Sequence, residues 1–281
     1  MSSNSAQAVK DKLRNISNEK NINFNAVLKF YMYDRFIERL SKSKYRDNFV
    51  LKGGFYLSSL FGIENRSTID IDAAIRKAKF TEDNLLKMIT EIINVDVDDN
   101  VVFKINETSS IRDEDEYGGL RVTIDFQLEN VKDKFHIDMA TGDPIYPRPD
   151  SYNYKSLIEK KTYQVWTYTA ETVLAEKLET ILNKLDTSSR MKDYYDIYLI
   201  YKFKFDTINK EKFRGSVEKT FKKRNFDADL MTNLSIVKES KVLRERWLSY
   251  SRKNSYARDV EFEETLECLE KLIDILILHV I

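Results

Sequence analysis

Lys52-Gly53-Gly54 is followed, after a helix-length gap, by Arg66-Ser67-Thr68-Ile69-Asp70-Ile71-Asp72. Together these stretches hold the residue types from which a phosphate and cation site can be built. The spacing predicts a strand, a glycine turn, a helix and a second strand that presents two carboxylates. Side chains alternate across a strand, so Asp70 and Asp72 point to the same side. Two carboxylates that close repel by roughly 4 kcal/mol at an effective dielectric of about 20. Magnesium between them would relieve the repulsion and would also hold a nucleotide's phosphates. Glycines at a helix N-terminus offer bare amides to an anion, with Lys52 alongside and Ser58 and Ser59 in the next turn. The bland alternatives are a tight strand-to-helix turn, a solvated lysine and two surface acids on an edge strand. The chemical reading is metal-assisted nucleotidyl transfer from a nucleoside triphosphate.

An Asp-x-Asp pair alone says little. Asp96/Asp98, Asp113/Asp115 and Asp227/Asp229 have no glycine turn before them and read as surface acids. Phosphoryl transfer of this kind often uses a third carboxylate from a neighbouring strand. Asp125 and Asp138 are the candidates. Asp138 is favoured because Thr141-Gly142-Asp143 follows it as a turn at a strand end, where Asp143 reads as a turn former.

Lys177 falls inside the apolar helical stripe of Val173, Leu174, Leu178, Ile181, Leu182 and Leu185. It must therefore either snorkel to the rim or meet an anion, which a triphosphate or a catalytic acid would supply. In the same way Asp193 and Asp196 share a helical face with Ile197 and Ile200. One of them can pair with Lys177 or Arg66 as a structural bridge, and the other can assist the acceptor hydroxyl. Asp193 is the one favoured for chemistry.

The elements that must position these groups follow from pattern. All three prolines lie at 144, 147 and 149, and only Gly215 follows them among the glycines, which predicts a boundary near Asp150. Residues 1–150 read as a mixed α/β nucleotidyltransferase domain with N-terminal helices. Asn25 is expected to cap a helix, Phe49–Leu51 and Thr68–Ile75 to be strands, and Leu57, Leu60 and Phe61 to face inward. Thr81–Asn94 reads as a helix, and Leu120–Leu128 as a strand pairing with Phe135–Met139. Residues 151–281 read as a mostly helical domain contributing Lys177 and Asp193 to the site. Its helices are expected from Thr169 to Leu185, Arg190 to Tyr201 and Val260 to Ile281.

Composition limits the alternatives. With 42% apolar residues, 16 Phe and 16 Tyr, a sizeable core is available. One cysteine, Cys268, excludes an internal disulfide framework, and two histidines, His136 and His279, leave little material for zinc clusters or histidine-based acid–base chemistry. No run is apolar enough to cross a bilayer and Met1–Lys20 is no signal peptide, so a cytoplasmic protein is expected. The net charge of zero hides an acidic stretch at Thr81–Glu116 and a basic one at Tyr201–Arg258. Bases there mix with Phe221, Phe226, Trp247, Tyr250 and Tyr256. That mixture suits either RNA or two solvated faces over an aromatic core.

In this order, Leu51–Gly54, Arg66–Asp72, Ile137-Asp138 with Gly142-Asp143, Glu171–Lys177 and Arg190-Met191-Lys192-Asp193-Tyr194-Tyr195-Asp196 form a pattern that resembles the AbiEii-type toxins. The resemblance runs from about Asn48 to Tyr201. It implies a DNA-polymerase-β-like nucleotidyltransferase core with a mixed sheet, followed by a helical domain. It also implies a toxin that arrests bacterial growth, aborts phage infection and is paired with a separately encoded antitoxin. Relatives in the wider group add nucleotides to the 3′ end of tRNA. By motif position the metal-binding role would fall to Asp70 or Asp72, with Lys177 and Asp193 as further essential residues. One departure is Gly53-Gly54 where most polymerase-β-like enzymes have Gly-Ser, which leaves Ser58 as the substitute hydroxyl.

The combined expectation is a magnesium-dependent enzyme moving NMP from an NTP to RNA, with tRNA as the favoured acceptor. Asp70, Asp72 and Asp138 serve the metal, Lys52, Gly53, Gly54, Ser58 and Lys177 the nucleotide, and Asp193 the acceptor. Rival readings are nucleotidylation of a protein hydroxyl and a nucleotide-binding regulator without catalysis.

Overall fold

The computed structural model describes residues 6–111, 118–157 and 159–277, so Asp113, Asp115 and His279 lie outside it. The chain divides into two compact units. One is Met1–Gly142 with Asp150–Thr167, and the other is Asp143–Pro149 with Tyr168–Ile281. The division differs from the expected boundary near Asp150, because the chain passes between units more than once.

The first unit begins with helices α1 (Ala6–Lys20) and α2 (Phe24–Lys42), then strand β1 (Phe49–Lys52), helix α3 (Gly53–Phe61), strand β2 (Asp70–Ile75) and helix α4 (Glu82–Ile93). Strands β3 (Val101–Ile111), β4 (Gly119–Leu128), β5 (Val131–Ala140), β6 (Asp150–Lys155) and β7 (Thr162–Thr167) follow. Among the described residues seven strands join one sheet in the order β3-β4-β5-β2-β1-β7-β6. It is mixed: β2 and β5 are parallel, as are β1 and β7, and the other pairs are antiparallel.

Alternation decides which face does what. Ile71, Ala73 and Ile75 of β2, Phe135, Ile137 and Met139 of β5, and Val122, Ile124 and Phe126 of β4 are all buried in one core with residues of α2 and α4. The residues between them carry Asp70, Asp72, Asp138 and Arg121. The helix expected from Asn25 starts earlier, capped by Asn23, whose side chain accepts from the Asn25 amide. In α3 the buried side is Phe55, Tyr56, Leu57 and Ser58, while Leu60 and Phe61 are only half-buried.

Two regions correct the expected layout. β3 is a long strand whose polar outer half hides its alternation, so no element is expected there from the sequence. Residues 151–167, expected in the helical domain, instead belong to the antiparallel pair β6 and β7, which extends the sheet through β1. Buried polar contacts tie this pair to α2. The Tyr154 hydroxyl donates to Asp34 at 2.5 Å, the Leu157 amide donates to its other oxygen at 2.6 Å, and Tyr163 donates to Glu38 at 2.8 Å. Glu38 also pairs with Arg35 at 2.8 Å, both nearly inaccessible.

The second unit is helical among its described residues. It contains α5 (Ala170–Lys184), α6 (Met191–Lys204), α7 (Lys210–Lys223), α8 (Leu230–Glu239), α9 (Lys241–Lys253) and α10 (Phe262–Ile277). Thr169 caps α5 as expected, accepting from the Thr172 amide at 3.0 Å. Helices α5 and α6 form its centre, with α7 and α8 against α5 and with α9 and α10 against α6. Trp247 is buried between Tyr250 and Phe262, and Tyr250 and Tyr256 pack on Tyr195. Of the aromatics of the basic stretch, Trp247 is buried, while Phe221, Phe226, Tyr250 and Tyr256 are half-buried.

Candidate active site

In the first unit the carboxylates are brought together by strand register. Asp72 of β2 lies opposite Asp138 of β5, and Asp70 opposite His136. Asp70 and Asp72 are half-buried on one side of β2, while Ile71 between them is fully buried on the other. The strand expected from Thr68 starts only at Asp70, which leaves Ile69 69% exposed. The Tyr33 hydroxyl holds the Ile69 carbonyl at 2.6 Å, which fixes the entry to β2.

The glycine turn abuts this face. Gly53 has φ +58, a conformation that L side chains avoid, and an added Cβ would lie 2.8 Å from Cγ of Asp72. A Cβ on Gly54 would crowd Thr68 and the buried Arg66. The Gly54 amide donates to Oδ2 of Asp72 at 3.2 Å. In this state the anion at the start of α3 is thus the Asp72 carboxylate, in line with the helix dipole. Lys52 pairs with Asp72 across the β1–β2 ladder and is buried, so it is no solvated lysine.

Ser58 requires correction. Its hydroxyl is buried and donates to the Gly54 carbonyl at 2.8 Å, a bond within its own helix, so it is not turned toward a phosphate. Asp125, the weaker candidate for a third carboxylate, accepts from Asn106 at the exposed side of β4.

Arg121 is a side chain of this face that sequence reasoning missed. It faces Asp138 in the β4–β5 register. Its Nε and Nη2 donate to the two Asp138 oxygens, each at 2.7 Å, and Nη2 also lies 3.6 Å from Oδ2 of Asp70. Hydrogen bonding to Asp138 raises the guanidinium's already high affinity for its proton. Burial opposes this, and the charges of Asp138, Asp70 and Asp72 add to it. The available signal was positional: Arg121 sits on the polar side of an otherwise apolar alternation, one strand away from Asp138. In the next row the Thr123 hydroxyl meets Nδ1 of His136 at 3.0 Å.

The second unit assembles the other expected residues into a buried ion cluster. Lys177 projects from α5 between Asp193 at 2.7 Å and Asp196 at 2.6 Å, both on α6, and Arg190 closes on Asp193 at 2.7 Å. Burial alone would raise the Asp193 pKa and lower that of Lys177. The opposite charges prevail, holding Asp193 well below the usual carboxylate range and Lys177 above its ordinary value. Both acids, not one, pair with Lys177. Asp143, expected as a turn former, lies 3.9 Å from Arg224, which also contacts Glu176 and Glu179. The other Asp-x-Asp pairs within the described residues are exposed, with Asp229 capping α8.

The family described as nucleotidyl transferase AbiEii toxin, type IV TA system, matches residues 35–268. The chain belongs to this family. It is a toxin–antitoxin nucleotidyltransferase, and the family's chemistry implies an NTP donor. The crystal structure of JHP933 from Helicobacter pylori is similar at 14% identity, with a TM-score of 0.54, covering 90% of this chain and 91% of that one. A second H. pylori structure, assigned as a nucleotidyltransferase, is similar at 16% identity and a TM-score of 0.50, covering 91% and 96%. At such identities the likeness concerns the fold. No curated protein matches the chain. Among the described residues no helix is long and apolar enough to cross a membrane.

AbiEii chemistry also implies a divalent cation. Asp70 and Asp72 fit one, since both offer hard carboxylate oxygens from one side of a strand, beside a turn that a Cβ would fill. Asp138 is not a ready third ligand, because Arg121 takes both of its oxygens. Among the described residues no three His, Cys, Asp or Glu side chains are set out to hold a metal by themselves.

Proposed function

We propose that the protein moves a nucleoside monophosphate from an NTP to RNA, with magnesium, and that the acceptor is the tRNA 3′ end. The observation that carries this reading is the face of β2. There Asp70 and Asp72 stand side by side against the amide end of α3 and in register with Asp138 on β5. Magnesium, held by Asp70 and Asp72, would neutralise the triphosphate and the charge that develops on it. Gly53 and Gly54 leave room for phosphate oxygens, and the Gly54 amide can pass from Asp72 to such an oxygen. Lys52, buried on β1, lies opposite Asp72 in the strand register. In the second unit Lys177 and Asp193 act as one ion cluster on which activity depends, as the AbiEii motifs imply. Exposed Lys202, Lys210, Lys219, Lys222, Arg252 and Lys253 suit an RNA backbone through phosphate contacts. A separately encoded antitoxin and a cytoplasmic setting complete the proposal.

The test is incubation of the protein with labelled NTPs, magnesium and total RNA. Label should enter RNA with the wild type and not with Asp72→Asn, and sequencing of the labelled species should find added 3′ nucleotides on tRNA. Equal labelling by both proteins, or label appearing only in protein, refutes the proposal. Growth arrest that survives loss of both Lys177 and Asp193 would instead favour a regulator without catalysis.

A further inference from the structure

Arg121 lies across from Asp138, and its fork engages both carboxylate oxygens at 2.7 Å. The nitrogen bonded to Oδ2 of Asp138 stands 3.6 Å from Oδ2 of Asp70 on the adjacent strand. One guanidinium nitrogen therefore sits between carboxylates of two strands, close to an oxygen of Asp70 that would serve a cation. The two ions need the same lone pairs. A guanidinium takes them in its own plane, whereas a divalent cation gathers ligands around itself in three dimensions, so one must leave before the other is seated. The Arg121 side chain is 35% exposed, so it can swing into solvent without unpacking the core.

We propose that Arg121 is a positioning residue that acts as a built-in counter-cation. It competes with the divalent cation for Asp138 and Asp70 and so sets the affinity at which the site loads. In the cation-free protein it keeps the acids of β2 and β5 from repelling one another. When the cation enters, Arg121 yields Asp138, which then becomes available as the third carboxylate. This inference rests on the cation reading of Asp70 and Asp72 given above.

The test uses the full chain and Mn2+ as the probe, with free Mn2+ counted by electron paramagnetic resonance. Arg121→Gln removes one positive charge a few ångströms from the cation and should tighten Mn2+ binding by roughly tenfold or more. Arg121→Lys keeps the charge but loses the fork, and should fall between wild type and Arg121→Gln. Adding Asp138→Asn to Arg121→Gln should cancel most of the gain, because the released carboxylate provides it. Without divalent ions Arg121→Gln should unfold at lower temperature than wild type, and Mn2+ should restore it. A merely structural Arg121 would lower stability without tightening Mn2+. Unchanged or weaker Mn2+ binding by Arg121→Gln and by Arg121→Lys overturns the proposal. If Asp72→Asn abolishes wild-type binding while Arg121→Gln fails to tighten it, only the counter-cation fails. If Asp72→Asn leaves binding undiminished, the cation reading fails with it.

Discussion

Gly53→Ala tests whether the glycine turn and the Asp72 carboxylate form one unit. Two separate costs are expected. The backbone at Gly53 has φ +58, where an L residue is disfavoured by roughly 1–2 kcal/mol. The new methyl would also lie 2.8 Å from Cγ of Asp72 and closer still to Oδ2. The carboxylate must then turn away and give up the Gly54 amide, and a hydrogen bond to a charged group contributes about 1.5–3 kcal/mol. The sum is a loss of about 2.5–5 kcal/mol. Gly118 supplies the control, since its φ is +56 and an added Cβ would meet nothing within 4 Å. Gly118→Ala should therefore show the backbone cost alone. Urea unfolding of both variants measures the difference, and labelled NTP transfer to RNA measures its consequence. Gly53→Ala should lose most transfer activity because Asp72 is displaced, and Gly118→Ala should retain it. Equal stability of the two variants together with full activity of Gly53→Ala would refute the coupling.

Other outcomes follow from the same contacts. Lys177→Met leaves Asp193 and Asp196 buried without their shared ammonium and should cost about 3–5 kcal/mol, a loss that adding Asp193→Asn partly restores; a double-mutant cycle in urea measures the coupling. Because the Asp193 pKa is depressed in the fold, its stabilisation is present above the ordinary carboxylate range near pH 4. It is lost as pH falls through the folded value, so acid titration of wild type should show a loss that Asp193→Asn lacks. Asp34 behaves oppositely: burial lifts its pKa to about 7 despite the Tyr154 and Leu157 donors. Its contribution is complete below about pH 4 and declines as pH rises toward 7, at up to about 1.4 kcal/mol per pH unit, and Asp34→Asn should flatten that slope in urea midpoints. Phe135→Ala removes a ring packed against Tyr33, Phe36, Phe103 and Phe126 and should cost about 3–5 kcal/mol by thermal or urea unfolding.

Local pattern determined much of this protein. Alternation placed β2, β4 and β5, glycine and capping chemistry placed the starts of α3 and α5, and the periodicity of apolar residues marked Lys177 and Asp193 as charges on faces that pack. These features depend on residues near one another in the chain, so the letters carry them. β3 was not legible because most of its length is polar and its partner lies on only one side. β6 and β7 were not legible because their alternation is short and follows a proline cluster that reads as a domain border. Their membership in the sheet rests on hydrogen bonds to β1 and on the buried contacts of Asp34 and Glu38, more than a hundred residues away. The candidate residues divide in the same way. Asp70 and Asp72 share a side by the two-residue repeat of a strand, a property of their own segment. Asp138 was favoured from the turn that follows it, but its register with Asp72, the hold of Arg121 on it, and the meeting of Lys177 with both Asp193 and Asp196 were decided by strand register and helix packing. Such choices depend on the whole core, and the separation of charges along the chain does not encode them.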